Sequence, residues 1–311
     1  MEMHALITGV SGFVGSHLAS YLHGQNWRVS GLDMRAGGKV DQFYKVELAD
    51  HVSVLDVLKD SKPDVIFHLA GLIKSVDFQA LYRANLLGTV AFFDSIVESG
   101  LLPKVVLASS SAVYGLGSGP KPVGEKMAIR PVTHYAISKA AQELACLRYV
   151  DTCRLPVRIV RMFNLIGPGQ SPELALSSFA HQIALAEKYD RNEILTGNLD
   201  GFRDFVDVRD AVKAFHLVAD SGVDGQAYNV CSGRAVSLQQ CLDEMLSMTL
   251  RPISSQMDAD RIQKHDLSIQ VGSYRKLNRI TGWQPRITLR QSLGDLLNDW
   301  RERVKSEAEI S

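Results

Sequence analysis

The chain has 311 residues, long enough for a well-buried core and near the upper limit for one domain, so a large domain with a smaller satellite is expected. Lys plus Arg and Asp plus Glu both number 34, a balance that argues against nucleic acid or an anionic membrane as partner, while leaving room for a local phosphate site. Four cysteines without a CxxC pair (Cys146, Cys153, Cys231, Cys241) read as small buried side chains rather than as a disulfide framework or a metal site.

In chain order, Met1 to His4 carries no basic region, and the apolar stretch after it is broken by Gly9 and Gly12, which predicts no secretory leader. The longest apolar run, Val65 to Ile73, is too short to span a bilayer, so a cytoplasmic location is expected. The first half alternates short apolar runs with helical periods. Strands are predicted at Ala5–Thr8, Arg28–Asp33, Asp64–Leu69, Lys104–Ser109 and Val157–Arg161. Helices are predicted at Phe13–His23, Val52–Lys59, Phe78–Ser99 and Tyr135–Asp151. That repetition implies right-handed crossovers and a doubly wound parallel sheet of the α/β class. After Arg161 the pattern changes at the turn-rich segment Ile166–Pro172. One more helix, Asp207–Ala219, and one more strand, Gln226–Val230, rejoin the main layer. The expected division is therefore a dinucleotide-binding domain over 1–165 with 207–230 returning to it. Residues 166–206 and 231–311 would form a smaller substrate-binding lobe.

Gly9, Gly12 and Gly15 follow the first strand directly and open the first helix at Phe13 and Val14. Glycines there allow a tight turn and bring backbone N–H groups, with the helix dipole behind them, close to a pyrophosphate. Asp33 ends the second strand, where a carboxylate accepts from the adenosine ribose diol and repels a 2′-phosphate. Arg35, two residues on, is suited to pairing with that phosphate. The balance favours NAD and leaves NADP open. Glu47 is a candidate for contact with the adenine. Tyr135 and Lys139 stand four apart and so share a helix face. A phenol with a pKa near 10 needs help to move protons at neutral pH, and an ammonium beside it lowers that value. The loop Ser109–Gly115 offers hydroxyls for the substrate oxygen.

The spacing GxxGxxG, with Tyr135/Lys139, resembles the short-chain dehydrogenase/reductase superfamily. Over nearly the whole chain it is similar to the extended members that act on nucleotide sugars. The likeness runs through His68–Gly71, Asn85–Thr89, Arg161–Asn164, Arg203–Val208 and Thr281–Pro285. It implies a Rossmann fold with a smaller C-terminal lobe, Ser110 as the catalytic hydroxyl beside Tyr135 and Lys139, and no metal. Cofactor contacts would include Met34, Leu48, Leu69, Ala70, Gly71 and Asn85. Substrate contacts would include Ser111, with Asn164, Arg203 and Arg261 meeting the diphosphate. A homodimer through the helices at 78–99 and 135–151 is also implied. Three stretches, Phe163–Ser171, Gly197–Phe205 and Tyr228–Gly233, look most like reductases of GDP-linked 4-keto-6-deoxy sugars. The stretch Arg261–His265 departs from the pattern usual there. Dehydratases of the family carry a Glu where Ala112 stands, with an Asp or Ser before it, and Ser111 fills that second position; dehydration is therefore not expected. Two rivals remain at this level: a nucleotide-sugar 4-epimerase that keeps its NAD bound, and a dinucleotide-sensing regulator, which the presence of Tyr135 and Lys139 argues against.

Overall fold

Seven parallel strands form the central sheet: β1 (His4–Thr8), β2 (Arg28–Asp33), β3 (Gln42–Lys45), β4 (Val65–His68), β5 (Lys104–Ser110), β6 (Val157–Met162) and, after four shorter strands, β11 (Ala227–Val230). The structure is a computed structural model, and it describes residues 2–116, 119, 121–258 and 269–306. Their order is β3-β2-β1-β4-β5-β6-β11. The direction of winding reverses between β1 and β4, and ligands of such sheets sit outside the strand ends at that point.

Helices cover both faces. On one side α1 (Phe13–His23) and α7 (Val208–Ser221) bury Leu18, Leu22, Ala211 and Phe215 against Ile7, Phe67 and Val160. On the other, α2 (His51–Ser61), α4 (Gly88–Glu98) and α5 (His134–Cys153) bury Val54, Phe92, Phe93, Cys146 and Tyr149 against Leu6, Ile66 and Leu107. Burial on both faces is why these strands read as unbroken apolar runs. Side-chain caps fix the helix starts. Thr133 accepts from Ala136 N at 3.1 Å and opens α5, and Asp207 accepts from Arg209 N at 2.8 Å and opens α7.

The helix expected as one piece over Phe78–Ser99 is divided. A short α3 (Phe78–Tyr82) passes into a π-helical turn, Arg83–Leu87, before α4 begins. Asn85 lies in that wide turn, wholly buried, with its amide drawn towards neighbouring chain segments. Such single π turns arise where a side chain must be delivered out of α-helical register.

Beyond β6 the short strands β7 (Asn164–Ile166), β8 (Glu193–Thr196), β9 (Phe202–Arg203) and β10 (Phe205–Asp207) pair outside the main sheet, as do β12 (Val236–Ser237), β13 (Ser254–Met257) and β14 (Ile269–Gln270). Three helices among them, α6 (Ala175–Lys188), α8 (Leu238–Leu246) and α10 (Leu289–Ser306), share a second hydrophobic cluster that includes Phe179, Ile183, Leu242, Met245, Leu296 and Trp300. The helix α9 (Arg275–Thr281) returns to the first cluster through Leu277, next to Trp283. Buried apolar residues of α10 fall at 293, 296, 297, 300 and 304, an amphipathic spacing.

Candidate active site

The turn after β1 is built from close backbone contacts. Gly9 has φ +73°, and a Cβ there would lie 2.8 Å from the backbone N and Cα of Ala70. A Cβ on Gly15 would lie 2.3 Å from the Gly9 carbonyl oxygen. Both positions therefore exclude any larger residue. A Cβ on Gly12 would meet only that same oxygen, at 3.2 Å, so the outer side of the turn stays open. Gly12 also begins α1 without a side-chain cap. The first-turn N–H groups at Phe13, Val14 and Gly15 have no acceptor within the helix and are available to an anion. This arrangement fits a dinucleotide pyrophosphate.

Asp33 ends β2 beside this turn. One carboxylate oxygen accepts from Ser11 N at 3.1 Å and the other from Arg35 N at 3.1 Å. The Ser11 hydroxyl donates to the Arg35 carbonyl at 2.6 Å, tying the two loops together. Met34, Arg35 and Glu47 are exposed, and Leu48 is half-buried close to the start of α4. Leu69 and Ala70, half-buried, and Gly71, exposed, form the loop after β4 against Gly9. Asn85 is placed differently from a direct cofactor contact. Its carbonyl oxygen accepts from Leu72 N at 2.8 Å, and its NH₂ donates to Leu72 O and to Ser138 Oγ, both at 2.9 Å. The side chain thus braces the loop after β4 against α5.

Ser110 and Tyr135 come together at the ends of β5 and α5. Ser110 Oγ accepts from Ala112 N at 3.2 Å, and its hydroxyl stands beside the Tyr135 phenol. Burial holds the Tyr135 phenol above its ordinary pKa, and the nearby Ser110 hydroxyl works against that rise. The sequence pattern leads to an expectation that Lys139 lowers it. In the structure the ammonium is turned inward, donating to Ala108 O at 2.6 Å and to the Gln142 side-chain oxygen. Burial brings Lys139 down to about 8, with Glu143 opposing the fall. Ser111 is buried and bound by Gln270 of β14, whose NH₂ donates to Ser111 O at 2.9 Å.

Two buried polar networks escape a reading by motif. In one, Gln142 donates to Thr89 Oγ1 at 2.7 Å, Thr89 bonds His68 Nε2 at 2.8 Å, and His68 Nδ1 bonds Thr8 Oγ1 at 2.9 Å. In the other, Arg161 pairs with Glu143 at 2.6 Å and donates to the Tyr114 hydroxyl at 2.9 Å, which donates to Asn229 at 2.7 Å. The available sequence signal was the spacing on helix faces, Gln142 three residues after Lys139 and Thr89 four after Asn85.

Asn164 and Arg203 line a separate cleft of about 510 Å³ between β7, β8 and α6, together with Gln170, Phe179, Asn198 and Leu238. Asn164 donates through its NH₂ to Asp204 O at 3.1 Å. The buried Asp204 carboxylate accepts from Ser232 N and Oγ, both at 2.6 Å, and from Gly233 N at 2.9 Å and Gly272 N at 3.0 Å. It thereby fixes the strand that carries Arg203 against the loop after β11. His17 of α1 reaches the Pro168 carbonyl at 2.8 Å, so the glycine-turn helix contacts the loop after β7, which also carries Gln170 of the cleft wall. Arg261 lies outside the described residues.

The family described as "NAD dependent epimerase/dehydratase family" matches residues 5–231, which span the glycine turn, the Ser110–Tyr135–Lys139 cluster and all seven strands of the main sheet. The chain belongs to this family. Among its relatives is the GDP-6-deoxy-D-mannose reductase of Pseudomonas aeruginosa, 31% identical over 99% of this chain and 100% of that one. Another is a UDP-glucose 4-epimerase of Mycolicibacterium smegmatis, 28% identical over 97% of this chain and 99% of the relative. Among solved structures, that of RMD from Pseudomonas aeruginosa complexed with NADPH superposes with a TM-score of 0.88 at 31% identity, covering 97% of this chain and 99% of that one. The family has the Rossmann-type architecture described above, and its reductases and epimerases share the layout of the whole chain.

Proposed function

We propose that this protein reduces the 4-keto group of a GDP-linked 4-keto-6-deoxyhexose, with a nicotinamide dinucleotide as reductant. The observation that carries the reading is that Ser110, at the end of β5, stands beside the Tyr135 phenol of α5, one helical turn from the buried Lys139. Full-length likeness to a GDP-6-deoxy-D-mannose reductase supports the choice of substrate.

The α1 amides at Phe13, Val14 and Gly15 would hold the dinucleotide diphosphate, and Asp33 would accept from the adenosine ribose. The bound nicotinamide supplies the hydride to C4. Tyr135, kept protonated by burial, donates its phenolic proton to the C4 oxygen as the carbonyl becomes an alcohol. Ser110 donates to that oxygen and fixes its position. The Lys139 ammonium would hold the ribose hydroxyls of the cofactor, placing its charge one helical turn from the phenolate left behind. In the cleft, Asn164 and Arg203 would hold the sugar-nucleotide diphosphate, since a guanidinium pairs with phosphate in a fork.

No helix among the described residues is long and apolar enough to cross a membrane. A cytoplasmic homodimer accords with this reading. Leu87, Val97, Ile137 and Leu144 are exposed on the π turn, α4 and α5, and a partner copy packed there would cover them.

A 4-epimerase is the second reading, because a relative of that name matches nearly as much of the chain. Two mixtures separate them. The keto sugar with NADH or NADPH should oxidise cofactor in equal amount with alcohol formed. UDP-glucose with no added cofactor should stay unchanged, and its conversion to the C4 epimer would replace the reductase reading.

A further inference from the structure

Lys139 is held by Gln142, a contact that the reading above does not use. The direction of every bond around Gln142 is fixed. Lys139 Nζ can only donate, so the Gln142 oxygen faces it and the NH₂ faces Thr89 Oγ1 at 2.7 Å. Thr89 sends its own proton to Asn85 O at 2.8 Å. His68, held neutral by burial that brings it to about 3, then donates from Nε2 to Thr89 and accepts from Thr8 at Nδ1. Thr8 Oγ1 in turn accepts from Ala70 N at 3.2 Å in the loop against the glycine turn. Gln142, Thr89, His68 and Thr8 are all fully buried. A reversed Gln142 amide would set its NH₂ against the ammonium, so no alternative orientation is available.

An ammonium has three N–H donors. Ala108 O takes one and Gln142 takes another. We propose that Gln142 is a positioning residue for Lys139: its oriented amide oxygen holds the ammonium so that the third N–H is left for the ribose hydroxyls of the dinucleotide. The inference rests on the function proposed above. The amide is a neutral acceptor, so it holds the ammonium without the charge that a carboxylate at the same place would add. The charged or titratable groups facing Lys139 are Glu143 and Cys146 from α5 and His68 from β4, with Tyr135 one turn before it. Glu143 is itself paired with Arg161.

The test is NADH binding, followed by fluorescence from pH 6 to pH 10, with cofactor KM, kcat and thermal unfolding measured alongside. Gln142→Met keeps the shape and removes the acceptor, so NADH should bind about tenfold more weakly. Gln142→Glu puts a carboxylate against the ammonium, so the alkaline loss of NADH affinity should move up by about one pH unit. A packing role alone would lower the unfolding temperature of both variants and leave that limb in place. If both variants fold and keep the affinity and pH profile of the parent, the inference is wrong. If the parent itself binds neither NADH nor NADPH, the proposed function fails and this inference with it.

Discussion

The two halves of this molecule build their sites by different means. Around the glycine turn, geometry comes from backbone against backbone: Gly9 against Ala70, Gly15 against Gly9, and Asp33 held by the amides of Ser11 and Arg35. Beneath it, polar groups such as Lys139, Gln142 and Glu143 are buried and paired in fixed directions. The cleft of the C-terminal part is lined by side chains on short strands and loops, and its frame hangs on one carboxylate, Asp204. The first region tolerates little change of shape. The second presents side chains on short strands and loops, where a change of residue alters the chemistry of the surface without disturbing the sheet.

The largest effect expected lies in the first region. Tyr135→Phe removes only a hydroxyl, so the fold should survive while kcat drops by about 10²–10⁴-fold. Near-normal turnover with the keto sugar would remove Tyr135 from the mechanism. The buried pair beside it should matter for stability instead. Arg161→Met takes the guanidinium away from the buried Glu143 carboxylate, a loss of about 3–5 kcal/mol in urea unfolding. The double variant Arg161→Met with Glu143→Leu should recover much of that loss, because neither charge of the pair then remains to be desolvated. If the single variant unfolds at the same urea concentration as the parent, the network is not what holds β6 to α5.

The contrast between regions also explains what the sequence made legible. Strands buried on both faces leave continuous apolar runs, so β1, β2, β4, β5 and β6 were readable to within a residue or so. The glycine turn and Tyr135/Lys139 were readable because their spacing is set by one turn of helix. The division of the helix at 78–99 was not, because the π turn depends on where the Asn85 amide finds Leu72 and Ser138, contacts made across 13 and 53 residues of chain. Nor was the fate of Ser111, whose partner Gln270 lies 159 residues away. Helix α10 did carry an apolar spacing, which went unassigned among the irregular segments around it.

A smaller effect should separate the regions directly. Arg203→Ala removes a guanidinium from the cleft wall, and KM for the sugar nucleotide should rise by about 10–100-fold, the worth of a hydrogen bond to a charged group. Affinity for NADH should stay within twofold or so, since the two sites draw on different elements. An equal loss of both affinities would mean that the contact between His17 and Pro168 couples them.

The smallest effect concerns which dinucleotide enters, and it turns on Asp33. Its two oxygens already accept from Ser11 N and Arg35 N, which fixes the carboxylate in place at the end of β2. A carboxylate has about four lone-pair sites, so the ribose diol of NADH can still be accepted. The 2′-phosphate of NADPH would meet a fixed negative charge there, partly offset by the exposed guanidinium of Arg35. The parent should therefore show the higher kcat/KM with NADH. Asp33→Asn keeps the size of the side chain and removes the charge, so the ratio should move towards NADPH by about tenfold, or about 1.4 kcal/mol. The relative from Pseudomonas aeruginosa solved with NADPH makes the opposite result a concrete alternative. A parent that prefers NADPH, with a ratio unmoved by Asp33→Asn and reversed by Arg35→Ala, would show that Arg35 decides the matter. In that case the carboxylate serves only to tie the two loops, and even in the backbone-built half an exposed side chain sets specificity.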